Sequence, residues 1–448
     1  MQTAIFLFSN LTGHLNPTIK LADFYKKEGF NIFYCGLTDL IPFTQKHDFN
    51  HYALQSLTFA SGFDDLLHEN QNEKWLESLV DRYTDNLYKL RKNDLEKLIN
   101  DLNPDLIFLD EFNYSDFIIL YPFLEKRRLI ILQTKFPMYY NALVPPLNTF
   151  AFPNKDAAYL WKKYLRKKRW TLLLENIKYL GKSDLSLLKQ KFREQGIPHD
   201  FQINIDKTFK PTFKNVEEWF LIPKELDFKE QSLFQWQRYI GPMIDKNRKE
   251  NLSSTYLNFI QIKESSEDHK LIYCSLGTVL KTHLTHRKGG IDSFFNNIIE
   301  IAFENPHLYF LVALEKDMRM KFKSKSKNLL FLDFAPQMDI LKKSDLFLTH
   351  AGPGSVFEAI YSATPMLLFP LNDKWDQNGT AARVVYHGAG TKADLKDSKD
   401  TILDAIKMII LNKQYKEKVL EMSLLFNEKY HDNFLEEILS THHFANLS

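Results

Sequence analysis

Short, uninterrupted apolar runs recur along this chain and alternate with longer stretches of helical spacing. In the first half the runs are Ala4–Phe8, Asn31–Cys35, Asp105–Leu109 and Leu129–Leu132. In the second half they are Lys270–Cys274, Leu308–Leu314, Leu329–Phe334, Leu346–Thr349 and Met366–Phe369. Runs that are apolar on both faces belong to strands buried in a parallel sheet, whereas half-exposed strands alternate. Between them, Ile19, Ala22 and Tyr25 share one helical face that stops at Gly29. Leu76, Leu79, Val80, Tyr83, Leu87, Leu90, Leu95 and Leu98 predict one long helix over Trp75–Asn100. Leu172–Gln195 predicts a helix stopping at Gly196, Thr208–Ile222 predicts further strand material, and Asp400–Ser440 reads as a run of helices. The βαβ alternation occurs once on each side of the polar stretch Asp245–His269, so the fold class is α/β, with two units and a break near Tyr239–Met243.

Composition narrows the class without choosing a function. At 448 residues the chain is long enough for two or three domains, and 44% hydrophobic with 25% charged residues fits a globular protein. A formal net charge of +2 gives no reason to expect a nucleic-acid partner. Cys35 and Cys274 each sit in a predicted strand and are expected as separate buried core residues. The start, MQTAIFLFSN, has no basic leader, and no run reaches the ~18 apolar residues of a membrane helix, so a cytoplasmic location is expected.

Candidate chemistry collects at strand ends. After Leu346–Thr349 the chain turns through His350-Ala351-Gly352-Pro353-Gly354-Ser355 into a helix. Gly352 and Gly354 permit close approach of a ligand. The amides of Gly354, Ser355 and Val356 are expected to point from the helix N-terminus toward an anion such as a diphosphate. Structural alternatives exist: Glu358 could bond back to the Ser355 amide in a capping box, Asp376-Gln377 could cap a helix, and Phe334 could be core. After Ala4–Phe8 the loop carries His14, ahead of a helix with Pro17 at its first position. A helix N-terminus there would keep the imidazole neutral and suited to act as a base. The loop lacks G-x-G-x-x-G, so it is not a dinucleotide fingerprint. Asp110, Glu111 and Asp116 compete to orient the histidine from the end of the Asp105–Leu109 strand. Lys270–Cys274 runs into Ser275-Leu276-Gly277-Thr278. Finally, Trp161–Trp170 is a basic run with interleaved aromatics. It suits either a membrane-surface contact or a solvated face, and the solvated face is the commoner outcome and the expected one.

Pro336-Gln337, His350, Gly352, Gly354-Ser355, Glu358, Pro365, Pro370 and Asp376-Gln377 together resemble the donor-binding signature of the UDP-glycosyltransferase family (family 1, GT-B fold), in its bacterial macrolide-glycosyltransferase-like form. Gly13-His14-Leu15-Asn16-Pro17 resembles the family's acceptor-side loop, Ser275–Thr278 its first phosphate loop, and the segment from Asn378 its Asn-Ala-Ala-Arg stretch. Phe334 in place of a frequent Trp, and a longer Pro370–Asp376 segment, bear on the choice of donor sugar. The resemblance implies two Rossmann-like domains facing across a cleft. The two are an acceptor-binding domain (1–240) and a nucleotide-sugar domain (270–425), joined by a linker (241–269), with a C-terminal helix (426–448) crossing back.

It also implies that His14 is the general base, oriented by Asp110. Phe334 would stack on the uracil, Ala335 read its edge, and Gln337 and Glu358 hold the ribose. Ser275, Gly277, Thr278, His350, Gly352, Gly354 and Ser355 would hold the diphosphate, and Asp376 and Gln377 the sugar. The implied activity is inverting, metal-independent transfer of a hexose, glucose first, from UDP to a hydroxyl of a lipophilic small molecule. No cofactor is implied, and no Asp-x-Asp occurs in the chain, the manganese clamp of the other glycosyltransferase fold. Two rival readings are a nucleotide-sugar 2-epimerase, which needs no acceptor loop, and a degenerate partner protein, which would lack His14 or His350. The acceptor is open among polyketides, carotenoid-like lipids and phenols, as is the oligomeric state.

Overall fold

The computed structural model describes residues 2–61, 73–246, 248, 250–277, 280–322 and 326–440, with the side chains of 73–74, 280–289 and 440 left out. Thr278 and the end of the C-terminal segment, 441–448, therefore lie outside the described residues.

The first half forms a seven-stranded, wholly parallel sheet. Its strands are β1 (Thr3–Leu7), β2 (Asn31–Gly36), β3 (Asn50–Ala53), β4 (Leu106–Asp110), β5 (Arg128–Gln133), β8 (Glu217–Phe220) and β9 (Gln237–Tyr239), with β6 (Ile203–Asn204) and β7 (Thr212–Phe213) forming a small antiparallel pair outside it. The order is β3-β2-β1-β4-β5-β8-β9. The second half forms a six-stranded parallel sheet from β10 (Lys270–Ser275), β11 (Leu308–Ala313), β12 (Leu329–Leu332), β13 (Leu346–Thr349), β14 (Met366–Leu368) and β15 (Gly390–Lys392), in the order β12-β11-β10-β13-β14-β15. In each sheet the strand order reverses beside the first strand, between β1 and β4 and between β10 and β13. Open α/β sheets leave a crevice there, beyond the carboxyl ends of the strands. Leu7 pairs with Leu109 and Ser275 with Thr349, so the residues that follow these strands are delivered to the two crevices.

Both cysteines are buried and unpaired, one in each large sheet. The predicted long helix is broken into Glu73–Thr84 and Asn86–Leu102, with Asp85 left-handed (φ 55°), a conformation Asp tolerates better than most residues. The apolar spacing across the break is real but serves two environments. Leu95 and Leu98 are buried, whereas Leu76, Val80, Tyr83 and Leu90 face outward. The predicted Leu172–Gln195 helix is likewise two helices, Ala157–Lys178 and Asp184–Glu194, separated at Leu180 and Gly181, both at positive φ.

Lys168 turns inward from the basic run and donates to the carbonyls of Ile205 (3.1 Å) and Lys207 (2.8 Å). Burial pushes its ammonium down to about 7, and the neighbouring Lys207 adds to the effect. The unfolded chain keeps that proton up to the ordinary value of 10.5. Between these values the unfolded state binds more protons, so stability rises with pH across the window; below it both states are protonated and the dependence vanishes. The urea midpoint should therefore increase from about pH 7.5 to about pH 9.5 more steeply in the wild type than in Lys168→Met. Equal slopes would show that Lys168 does not titrate differently on folding.

The two halves meet closely. A side chain at Gly379 would collide with the carbonyl oxygen of Leu147, 2.1 Å from the nearest Cβ position. Arg383 donates from Nε to Asp227 Oδ1 (2.8 Å), and both side chains are 1% exposed. Tyr239 donates to the other Asp227 oxygen (2.6 Å), and the Arg383 guanidinium lies 4.4 Å from the ring centres of both Phe136 and Phe228. Near the C-terminus, Tyr430 and Lys429 bond to Glu225, and Lys20 lies over the Phe434 ring, so the closing helices pack on the first half.

Candidate functional site

His14 occupies a single helical turn, Thr12–Leu15, with its amide on the Leu11 carbonyl (2.8 Å). Thr18 bonds both the Leu15 carbonyl and the Tyr34 hydroxyl at 2.7 Å, which fastens this turn to β2. The helix expected directly after the histidine starts only at Ile19, after a 3-10 turn. The polar group that meets the ring directly is a carboxylate. Asp110, at the end of β4, places Oδ1 2.7 Å from His14 Nδ1 and is fully buried.

The three competing acids separate cleanly. Asp116 is taken by Arg91, which donates to Oδ1 from Nε (3.0 Å) and to Oδ2 from Nη2. Glu111 pairs with Lys135 and accepts from Thr134 (3.3 Å), and its Oε1 lies 3.9 Å from His14 Nε2. Burial works against the Glu111 charge, but Lys135 and His14 outweigh it and hold the carboxyl below its usual range. Lys135 is held above its usual range in the same way, with Glu111 and Asp376 overcoming burial. Phe112 stacks on the His14 ring (centroids 4.6 Å, 21°) and meets the edge of Trp375 from the second half (6.3 Å). Lys135, just past the end of β5, was not picked out from the sequence. Its position beyond a central strand of the same sheet was the available signal.

Asp376 brings the second half to this cluster. Burial pushes its carboxyl up, while Lys135, Glu111 and His14 all act on it across the cleft. It makes no side-chain cap to the helix Gln377–Tyr386, so the capping alternative fails. Gln377 accepts at Oε1 from the Leu371 amide (2.6 Å), which braces the loop between Pro370 and Asp376 and leaves its NH2 as the part available to a ligand.

The turn after β13 explains its own glycines. A Cβ on Gly277 or on Gly352 would sit 2.5 Å from the His350 ring, so both glycines make room for that ring. Ala351 is held left-handed at φ 67°, a costly conformation for a side-chain-bearing residue and one that clusters at binding sites. The helix is Pro353–Tyr361 with Gly352 as N-cap. The Val356 amide already bonds the Gly352 carbonyl (3.0 Å), so of the three amides expected to face an anion only those of Gly354 and Ser355 are left for one. Proline at the first position has none to offer.

Glu358 does not form the capping box. It accepts from Gln337 Nε2 (2.6 Å) and Arg248 Nη1 (2.9 Å), and Gln337 in turn accepts from the Tyr273 hydroxyl (3.0 Å). Gln337 and Glu358 therefore share one polar cluster, with Ser355 3.3 Å from the Gln337 amide. Phe334 is 72% exposed, which removes the core alternative, and Ala335 beside it is half-buried. Ser275 closes β10. Among the described residues no group of three or more His, Cys, Asp or Glu side chains is placed to hold a metal ion.

Known proteins give this geometry a family. Solved structures share the fold over nearly the whole chain. The glycosyltransferase of kitacinnamycin superposes with a TM-score of 0.69 at 14% identity, covering 98% of this chain and 97% of that one. The calicheamicin glycosyltransferase CalG4 gives 0.63 at 15% identity, with 98% of each chain covered. At such identities the likeness is one of fold, two facing Rossmann-like domains of the GT-B type. Among sequence relatives, UDP-glucuronosyltransferase of Pleuronectes platessa is 41% identical over 106 residues, 23% of this chain and 22% of that protein. Zeaxanthin glucosyltransferase of Pantoea ananas is 28% identical over 204 residues, 45% and 43% of the two chains. Human UDP-glucuronosyltransferase 3A1 is 26% identical over 361 residues, 76% of this chain and 62% of that protein. The matches thus span between 22% and 62% of these relatives' own lengths. Residues 186–434, more than half of the chain, match the model of the family described as UDP-glucoronosyl and UDP-glucosyl transferase, and the chain belongs to that family.

Proposed function

We propose that this protein is an inverting, metal-independent glycosyltransferase that moves a hexose, glucose first, from UDP to a hydroxyl of a lipophilic small molecule. The observation that carries the reading is the His14–Asp110 contact at 2.7 Å, at one crevice, with Trp375 of the other domain against the Phe112 ring that stacks on His14. Asp110 on Nδ1 fixes the tautomer that leaves Nε2 as the basic nitrogen, and it stabilises the imidazolium once formed. In the proposed reaction, His14 Nε2 takes the acceptor hydroxyl proton as the oxygen forms its bond to the anomeric carbon. The bond from that carbon to the diphosphate breaks on the opposite side, and UDP leaves with the electron pair. The amides of Gly354 and Ser355 and the His350 ring offset the growing charge without a metal. Phe334, exposed beside Ala335, is assigned to the uracil. Gln337 and Glu358 are assigned to the ribose, and Asp376 with the Gln377 amide to the sugar. Gly277, Gly352 and Ser275 line the diphosphate.

A neutral hexose is favoured over a uronic acid because Asp110, Glu111 and Asp376 converge at the cleft and Lys135 is already engaged by Glu111. A sugar carboxylate there would meet carboxylates of its own sign. The lipophilic acceptor is supported by a glucosyltransferase relative whose name gives zeaxanthin as its acceptor, and by the structural likeness to enzymes named for kitacinnamycin and calicheamicin.

Release of UDP from UDP-glucose, UDP-galactose, UDP-glucuronic acid and TDP-glucose, with and without a panel of hydrophobic alcohols and phenols, tests the assignment. UDP-glucose is expected to exceed UDP-glucuronic acid by roughly tenfold or more in kcat/KM, the discrimination of an uncompensated charge in a partly buried site. Excess EDTA should leave the rate unchanged. Release that no acceptor stimulates would favour the epimerase, and loss of activity in EDTA would overturn the metal-free mechanism.

A further inference from the structure

The helix Ala157–Lys178 packs one side on the first domain through Trp161, whose indole donates to the Val144 carbonyl (2.7 Å), and through the inward Lys168. Its outward stripe divides along its length. Lys163, Arg166 and Lys167 are exposed in the first half, and Trp170, Leu174 and Ile177 continue the same stripe in the second. The helix Glu73–Thr84 meets the C-terminal end of this helix, with bonds from Trp75 to the Lys178 carbonyl (3.1 Å) and from Tyr83 to the Leu180 carbonyl just beyond it (2.8 Å). It adds Leu76, Val80 and Tyr83, also outward. These six large apolar side chains are between 53% and 62% exposed. Scattered exposed leucines are ordinary, but Trp170, Leu174 and Ile177 lie in one stripe of one helix, with the outward residues of Glu73–Thr84 meeting its C-terminal end, and exposed apolar surface gathered this way marks a contact surface.

We infer that this face is a membrane-surface contact that seats on an anionic bilayer. Apolar residues and a tryptophan would enter the headgroup boundary, and the cations earlier in the same stripe would meet lipid phosphates. Lys162 adds to the cations, while Arg169 is partly engaged by Asp206 at 3.5 Å. Among the described residues no helix is long and apolar enough to cross a membrane, so the contact is one of lying on the surface. A second copy of the chain is a poorer occupant. Aligned parallel, two such stripes would oppose Lys163 to Lys163; aligned antiparallel, they would press those cations onto the partner's apolar half. The inference stands apart from the sugar-transfer reading, since none of these residues lines the cleft cluster.

Flotation of the whole protein with vesicles tests it. Binding to phosphatidylcholine vesicles containing about 30% phosphatidylglycerol should exceed binding to pure phosphatidylcholine by roughly tenfold or more, and should fall by a similar factor in about 0.5 M NaCl. Both Lys163→Glu/Lys167→Glu and Leu174→Ser/Ile177→Ser should lose binding while keeping the wild-type melting temperature and UDP affinity. Absence of vesicle binding by the wild type would overturn the proposal. So would a wild-type dimer at micromolar concentration that Leu174→Ser/Ile177→Ser converts to monomer, because the occupant would then be a second copy.

Discussion

His14→Ala is expected to lower kcat/KM for sugar transfer by about 10²–10⁴-fold, the range supplied by a positioned general base, while UDP affinity stays within about twofold. The separation follows from geometry. His14 belongs to the first sheet's crevice with Asp110 at 2.7 Å, and the residues assigned to the nucleotide all sit beyond strands of the second sheet. Asp110→Asn should keep the ring in place, because an amide oxygen can still accept from Nδ1. It removes the charge that stabilises the imidazolium, so a loss in kcat with little change in donor binding is expected. Transfer kinetics at saturating acceptor and titration calorimetry with UDP check both. Full activity in His14→Ala would sink the mechanism, and loss of UDP binding in parallel would show that the residue is structural.

Arg383→Met is expected to cost about 3–5 kcal/mol, because it leaves the Asp227 carboxylate buried without its counter-charge. Asp227 and Arg383 are each 1% exposed and come from opposite halves of the chain, so no water is at hand to replace the lost partner. Tyr239 would still donate to the orphaned carboxylate, which softens the loss without removing it. The double replacement Asp227→Leu/Arg383→Met should be less destabilised than Arg383→Met alone, since the pair's desolvation disappears along with its attraction. Thermal and urea midpoints of the four proteins close this cycle. If the double variant is as unstable as the sum of the singles, the pair is not a coupled unit. Because the pair spans both domains, Arg383→Met should also raise KM for the donor more than a distant surface replacement does.

The sequence by itself determined nine of the parallel strands, because burial on both faces of a parallel sheet leaves a run of apolar residues that needs no tertiary information to read; the short edge strands β3, β9 and β15 carry no such run and were not read from it. It also determined the glycine-bearing turn from His350 to Ser355 between a strand and a helix, since glycine spacing there is a local property. What it could not decide was whichever acid meets His14. Asp110, Glu111 and Asp116 are neighbours in the chain, and only the parallel pairing of Leu7 with Leu109 brings the first to Nδ1 and sends the others to Lys135 and Arg91. Nor could it locate the Glu358 partners, because Arg248 and Gln337 reach that carboxylate from separate segments. The apolar residues of Trp75–Asn100 read as one long helix because periodicity reports a face without saying what covers it or where the chain breaks. Tertiary structure broke that helix at Asp85 and turned its first half to the outside. The cleft followed the same rule. Each domain's crevice is written in its own strand order, but the meeting of His14, Lys135 and Asp376 exists only once buried contacts such as Asp227–Arg383 fix the two halves against each other.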